Sequence, residues 1–502
     1  MTLSSFPSWR PLALCLALLG YGLFTAWHAS PVAAGSDSAG YLMSARLLTE
    51  GRVSTPLRTV AEFPPTEAWE YTPLGMIYAA DAHALIPTYP IGLPLLLAAA
   101  STVAGWHWGT LLVSVALACG AVGCTHWCAR EVGVRPGVAG VIAAALAVCP
   151  LVFYSSLQPL TDTASACFCA LTIASALRAN RTRGAIWSVL AGAGLALAVL
   201  VRPSNLLLAP AFGVALGRPR TILLACLGGL PGALLLAGYH QVLYGSVFRT
   251  GYGSVWDIFS PAYVLPALRK YAIWVPAFLP AAVVGIVALP WLRWRERGRE
   301  IAALGLWVVS FFAFYAFYLP THENRWYLRF VLPAFPALLV LAGLALEAML
   351  CARSRCPRVI VARGALGVVV VVSLATGVHH WRSGRLGLLK ESAAVYRELP
   401  EWADAALPRD AFILTLYPSC SFYFYTDRAV IRSDILKPDR FSVLIQTARE
   451  HRRAIYAILT RSDDEPAMLQ RLPGPWVMER RFGEFGVWRL ADDQVSATPA
   501  GG

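Results

Sequence analysis

Runs of apolar residues long enough to cross a lipid bilayer recur along most of this chain, and that pattern leaves few folds open. A hydrocarbon core of about 30 Å takes roughly 20 residues of helix, or strands of about ten residues with alternating faces. TILLACLGGLPGALLLAGYH at 221–240 and LPAFPALLVLAGLALEAML within 330–350 are continuous and rich in Leu, Ala and Val, so they read as helices and not as barrel strands. Further runs fall near 11–33, 107–128, 137–156, 162–178, 184–201, 204–217, 271–292, 301–319 and 361–380. The total is about eleven transmembrane helices. With 57% apolar and 14% charged residues among 502 and a mean hydropathy of +0.56, the composition excludes a soluble domain and exceeds what one anchor needs. The first run has no cleavage site followed by a soluble chain and is read as a retained span.

Arginine sets the expected orientation. With Arg10 inside, alternate joints hold Arg130 and Arg135, then Arg178, Arg181 and Arg183, then Arg218 and Arg220, then Arg293, Arg295, Arg297 and Arg299, and last Arg353, Arg355, Arg358 and Arg363. Positive charge gathers on the cytoplasmic side of membrane proteins, so the N-terminus is expected in the cytoplasm. The same joints account for much of the +13 net charge, which then requires no nucleic-acid partner. The long joints 34–106 and 241–270 and the tail from 383 fall outside, as in a bacterial inner membrane with a periplasmic tail. Of the 11 cysteines only Cys420 lies in that tail, so no intramolecular disulfide can staple it. Cys124, His126 and Cys128 resemble a metal cluster in spacing, but at the end of an apolar helix small buried thiols are the preferred reading.

From Ala393 the tail alternates helical stretches (AAVYRELPEWADAAL, FSVLIQTAREH) with strand-like ones (AFILTLY, AIYAILT) and closes on WVMERRFGEFGVWRLA, the pattern of a small α/β domain. It has no glycine-rich phosphate loop and no Ser/His/Asp spacing. The expected division is a membrane domain over 1–382, with the outer loop 34–106 counted in it, and an α/β extracytoplasmic domain over 383–502 whose end, SATPAGG, is disordered. Within the loop, GYLMSARLLTEG reads as a helix ended by Gly51. PTYPIGLPLLLAAASTVAGW, opening on two prolines, is expected to lie in the membrane interface without crossing.

Two carboxylates stand at helix starts on the outer side. Asp37 directly precedes the loop helix and is a candidate N-cap, a role that Ser36 or Ser38 fills equally well. Asp162 opens the fourth span, with Thr161 beside it as a cap. A carboxylate at a bilayer edge is costly and often marks a site. If the two meet, they could divide acid/base and orienting roles or share a divalent cation, and the sequence leaves the metal question open.

SDSAGYLMSARLLTEGR, TYPIGLPLLLA, YSSLQPLTDTASACFCALTIASALR, LVRPSNLLLAP, YGSVFRTGYG and RWYLRFVLPAFPALLVLAG, in that order over roughly residues 10–350, resemble the GT-C superfamily of membrane glycosyltransferases, in particular its protein O-mannosyltransferase, aminoarabinose transferase and related bacterial branches. The resemblance implies a sugar carried on a polyprenyl phosphate, a protein, lipid or glycan acceptor, and contact with membrane lipid. Position by position, it implies a base or orienting group at Asp37 and a second acidic position at Asp162. Many members carry another acidic residue after the first one, where this chain has Ser38. A departing lipid phosphate gathers negative charge that arginines at the same rim can hold. Arg202, Arg249, Arg325 and Arg329 are the candidates. Arg202 otherwise reads as a flanking arginine snorkelling to headgroups, and Arg325 as half of a solvated pair with Glu323. Tyr244 and Tyr252 flank Arg249 in a glycine-bearing loop and could stack on sugar, although turn chemistry alone also explains that loop. The competing function is a transporter or flippase for lipid-linked sugar or polysaccharide, disfavoured because polar residues gather at one rim and not in the middle of spans. A catalytically dead acceptor-binding homologue is the third reading.

Overall fold

The structure is a computed structural model that describes residues 9–253, 258–287, 289, 292–351, 357–382, 385–461 and 465–491. The expected disordered end at 496–502, together with Arg353 and Arg355, lies outside those residues. The helices are α1 (Trp9–His28), α2 (Asp37–Thr49), α3 (Gly92–Glu131), α4 (Pro136–Ala147), α5 (Pro150–Ser156), α6 (Thr161–Thr182), α7 (Ala185–Val201), α8 (Ala209–Leu216), α9 (Pro219–Tyr244), α10 (Val264–Phe278), α11 (Pro280–Val287), α12 (Trp294–Ala316), α13 (Phe335–Cys351), α14 (Pro357–Arg382), α15 (Arg385–Ala406), α16 (Ser419–Tyr425), α17 (Pro438–Glu450) and α18 (Glu465–Arg471). The strands are β1 (Thr55–Pro56), β2 (Met76–Ala79), β3 (Ala84–Pro87), β4 (Phe412–Thr415), β5 (Ile431–Arg432), β6 (Ile455–Thr460), β7 (Trp476–Phe482) and β8 (Phe485–Leu490).

The chain divides into two compact units. One holds residues up to Ala29, Pro90–Leu96 and Val103–Leu386; the other holds Ser30–Tyr89, Leu97–Thr102 and the chain from Gly387 onward. Most of the outer loop thus groups with the C-terminal chain, whereas the division read from sequence counted it with the membrane helices.

Among the described residues, four helical segments are long and apolar enough to cross a membrane, or six if each of two bent pairs counts as one span. The bends are 64° between α4 and α5 and 117° between Pro261–Phe278 and α11. Several of the expected apolar runs therefore form helices that are shorter, bent or more polar than a simple span. α6 is the clearest case: its Thr, Ser, Cys and Ala side chains are almost all buried, so its polar surface is sheltered by other helices and not by lipid. Small residues also set how closely α7 meets α9. A Cβ on Gly192 would strike the Ala225 carbonyl and one on Gly228 the Val189 carbonyl, which is how small residues let membrane helices touch backbone to backbone. Residues 92–104, expected in the membrane interface, are helical, and a break at Gly105 (φ 74°, ψ 166°) separates them from the rest of α3. The prolines do not prevent the helix, because Pro94 lies in the first turn, where a missing N–H costs no helical hydrogen bond.

In the second unit, a sheet of order β5-β4-β6-β8-β7 is parallel across β5, β4 and β6 and antiparallel across β6, β8 and β7. Phe412, Leu414, Ala457 and Leu459 from the central strands pack with Phe441 and Leu444 of α17, and with Phe63 and Tyr71 from the outer loop. Polar ties bind the same segments. Ser421 donates to the Ala33 carbonyl at 2.6 Å, Arg46 to the Phe424 carbonyl at 2.6 Å, and the Leu74 amide to Ser419 at 3.0 Å.

Candidate active site

Each unit positions one of the two predicted aspartates. In the first unit, Leu160 is extended and α6 begins at Thr161, so Asp162 falls in the first helical turn, where the helix dipole favours a carboxylate. Its side chain is only 2% exposed and accepts from Arg202 at 2.6 Å; Arg202 also donates to Thr161 at 2.9 Å. Arg202 is extended because Pro203 follows it, which ends α7 at that point. Arg329 approaches the other Asp162 oxygen at 3.9 Å and is 26% exposed. Phe330 lies under both guanidinium groups, 5.9 Å from that of Arg202 and 5.6 Å from that of Arg329. Tyr315 and Tyr327 stack on the same ring at 5.4 and 5.7 Å, and Tyr315 shares a 2.7 Å hydrogen bond with Ser204. Two guanidinium groups thus stand beside one buried carboxylate and against aromatic faces. The chemistry of this cluster suits an anion such as a phosphate monoester attached to something apolar.

In the second unit, Asp37 is the first residue of α2, with Ser36 preceding it and making no side-chain cap. Tyr89, 7% exposed, donates its hydroxyl proton to Asp37 at 2.8 Å. A phenol has one proton, so at the 2.6 Å contact between Ser36 and Tyr89 it is Ser36 that donates. Burial, and next the Asp37 carboxylate, hold the Tyr89 phenol well above its ordinary range, so it stays a donor. The local fold leaves room for this ring. A Cβ on Gly40 would lie 2.5 Å from it, Tyr41 packs on it at 4.7 Å, and Gly75, in the left-handed region at φ +87°, brings its backbone against Ser36 and Gly40. Asp37 is therefore oriented by a tyrosine that the sequence reading did not select.

The other predicted residues are placed differently. Arg325 is exposed at the start of the 3-10 segment Arg325–Ala334, and the ion pairs to Asp162 among the described residues come from Arg202 and Arg329. Tyr244 closes α9 and meets His240 and Tyr239 edge-on, while Arg249 and Tyr252 are exposed on the following loop. Sequence reasoning missed Tyr89, Ser204, Tyr315 and Phe330, while Tyr327 stood out in THENRWYLRF and read as an aromatic-belt residue. Tyr89 and Phe330 sat inside TYPIGLP and RWYLRF, where an aromatic beside a charged or proline position was the available signal. Among the described residues no group of three or more His, Cys, Asp or Glu side chains gathers as a metal site.

No protein-family model matches the chain, and no curated protein matches it. Solved structures do. That of ArnT from Cupriavidus metallidurans bound to undecaprenyl phosphate shares 14% identity at a TM-score of 0.54, covering 97% of this chain and 99% of that one. The archaeal oligosaccharyltransferase AglB from Archaeoglobus fulgidus, in complex with an inhibitory peptide and a dolichol-phosphate, shares 12% identity at 0.57, covering 98% and 76%. The arabinofuranosyltransferase AftD from Mycobacteria shares 15% identity at 0.53, covering 98% of this chain and 40% of that one. The chain is thus an integral membrane protein with the fold of the GT-C glycosyltransferases.

Proposed function

We propose that this protein is a glycosyltransferase that moves a hexosyl- or pentosyl-type sugar from a polyprenyl-phosphate donor to an acceptor hydroxyl at the outer membrane face, with inversion. The observation that carries the reading is the Asp162–Arg202–Arg329 cluster, in which two guanidinium groups stand beside a buried carboxylate with Phe330 beneath them and aromatic rings around. The undecaprenyl phosphate of the ArnT structure and the dolichol-phosphate of the AglB structure support the same class of donor. In this reading Arg202 and Arg329 hold the donor phosphate, and Asp162 fixes Arg202 in place. Asp37, oriented by Tyr89, takes the proton of the acceptor hydroxyl as its oxygen attacks the anomeric carbon. The bond from that carbon to the phosphate oxygen breaks, and the electron pair leaves on the polyprenyl phosphate. A single displacement of this kind inverts the anomeric centre. Arg249, Arg325, Tyr244 and Tyr252 are assigned to sugar and headgroup contacts at the rim.

The reading also takes about eleven spans, an N-terminus in the cytoplasm of a bacterial inner membrane, and a C-terminal unit outside that recognises a protein, lipid or glycan acceptor. The test is to incubate purified protein with labelled polyprenyl-phosphate sugars and follow donor and product. An enzyme consumes donor and labels acceptor or water-hydrolysed product. Translocation of intact donor across a vesicle without consumption would identify the transporter instead.

A further inference from the structure

A groove of about 1140 Å³ runs between α1, α3 and α4 of the membrane unit and includes none of the residues around Asp162. Val122, Ala143 and Ala147 form a buried apolar patch beside it, with Leu18 and Tyr21 packed on them. Gly137 and Gly140 of α4 also line the groove, and a Cβ on either would meet no atom within 4 Å. These glycines differ from Gly192 and Gly228, which let helices touch: here the missing side chain borders open space. The groove opens to the outside of the helix bundle, where its lining residues Ala13, Ala17 and Gly137 are exposed, so in a bilayer it offers an apolar channel to a lipid chain.

The groove's length and charge narrow the choice. It follows α4 from Pro136 to Ala147, and at 1.5 Å per residue that helix is about 18 Å long, close to the ~15 Å depth of one leaflet. Its polar lining is unevenly placed: Arg135, immediately before α4, lines the groove together with His126 of α3. Around that end Arg135 pairs with Glu347 at 2.6 Å, and Arg178 and Arg181 pair with Glu131 at 2.9 and 2.7 Å. Arg130, one helical turn after His126, donates to the Val134 carbonyl, so arginine outnumbers glutamate there.

We propose that this groove binds one acyl chain of an anionic phospholipid, with the lipid phosphate at the Arg135–His126 end. A polyprenyl chain is a poorer match, because many isoprene units overrun a single leaflet. The proposal does not depend on the glycosyltransferase reading. It is tested by delipidating the purified full chain and measuring, by native mass spectrometry, adducts with phosphatidylglycerol, phosphatidylcholine of the same acyl chains, and undecaprenyl phosphate. The expected result is a phosphatidylglycerol adduct about tenfold stronger than the phosphatidylcholine one, lost in Gly140→Leu, whose side chain starts from a Cβ in open space and occupies the groove. The thermal midpoint of the delipidated Gly140→Leu protein should match that of the wild type. Should Gly140→Leu fail to fold, Gly137→Leu carries the same comparison. Equal adducts in wild type and the glycine variant, equal binding of both phospholipids, or displacement of phosphatidylglycerol by undecaprenyl phosphate would each overturn the proposal.

Discussion

Replacing Tyr89 by phenylalanine removes a single oxygen from the second unit and leaves the ring between Tyr41 and the face of Gly40. Two hydrogen bonds go with it, the 2.8 Å bond to Asp37 and the 2.6 Å bond from Ser36. The first is made to a carboxylate, a class worth about 1.5–3 kcal/mol. If that energy orients Asp37 for proton abstraction, transfer should slow by about 10- to 150-fold. The bond from Ser36 is neutral and worth about 1 kcal/mol, and with both bonds lost the thermal midpoint should fall by several degrees while the protein still folds. The assay is donor consumption at saturating lipid-linked sugar, with donor affinity titrated separately. The expected outcome is a slower rate at unchanged affinity in a protein that still folds. An unchanged rate, or a loss that follows the unfolded fraction, would refute the orienting role.

Arg202→Lys keeps the charge beside Asp162 but loses the planar fork that reaches both Asp162 and Thr161, so affinity for undecaprenyl phosphate should fall about tenfold; unaltered binding in a titration counts against a phosphate clamp. Gly75→Ala combines a left-handed backbone at φ +87° with a Cβ 2.7 Å from the Ser36 carbonyl, and should cost about 1–3 kcal/mol in a thermal or denaturant melt in detergent. Tyr89 also makes a pH prediction. Its phenol is held above the ordinary value of about 10, so it stays protonated in the folded chain while the unfolded chain ionises. Its contribution is complete below pH ~10 and lost as pH rises further, so wild type should lose more stability than Tyr89→Phe when melts are extended above that pH.

Much of the first unit was legible because lipid-facing helices announce themselves by uninterrupted apolar length. The break within α3 was less legible, because a lone glycine in an apolar run does not announce the left-handed backbone that Gly105 adopts at φ 74°. Arg202 could be singled out because an arginine at an expected outer helix end ran against the general charge bias, and Asp162 because a carboxylate headed an otherwise apolar span. Their pairing was not readable, since it depends on α6 and α7 packing side by side. Tyr89 was harder still. A tyrosine between threonine and proline carries no special signal until Gly40 and Gly75 are seen to make space for its ring. The grouping of residues 30–89 with the C-terminal chain was invisible for a similar reason. It rests on contacts such as Ser421 with Ala33 and Arg46 with Phe424, separated by more than 370 residues, and on Phe63 and Tyr71 filling a core built from distant strands.

The proposed chemistry stands or falls on Asp37 as the group that accepts the acceptor's proton. The direct measurement is single-turnover donor depletion by Asp37→Asn, read by mass spectrometry across a panel of lipid-linked sugars, beside a separate titration of undecaprenyl phosphate. The account predicts that Asp37→Asn binds the lipid phosphate as wild type does and forms no glycosylated product. Product formation at the wild-type rate would contradict it and return Asp37 to a helix-start residue held by Tyr89.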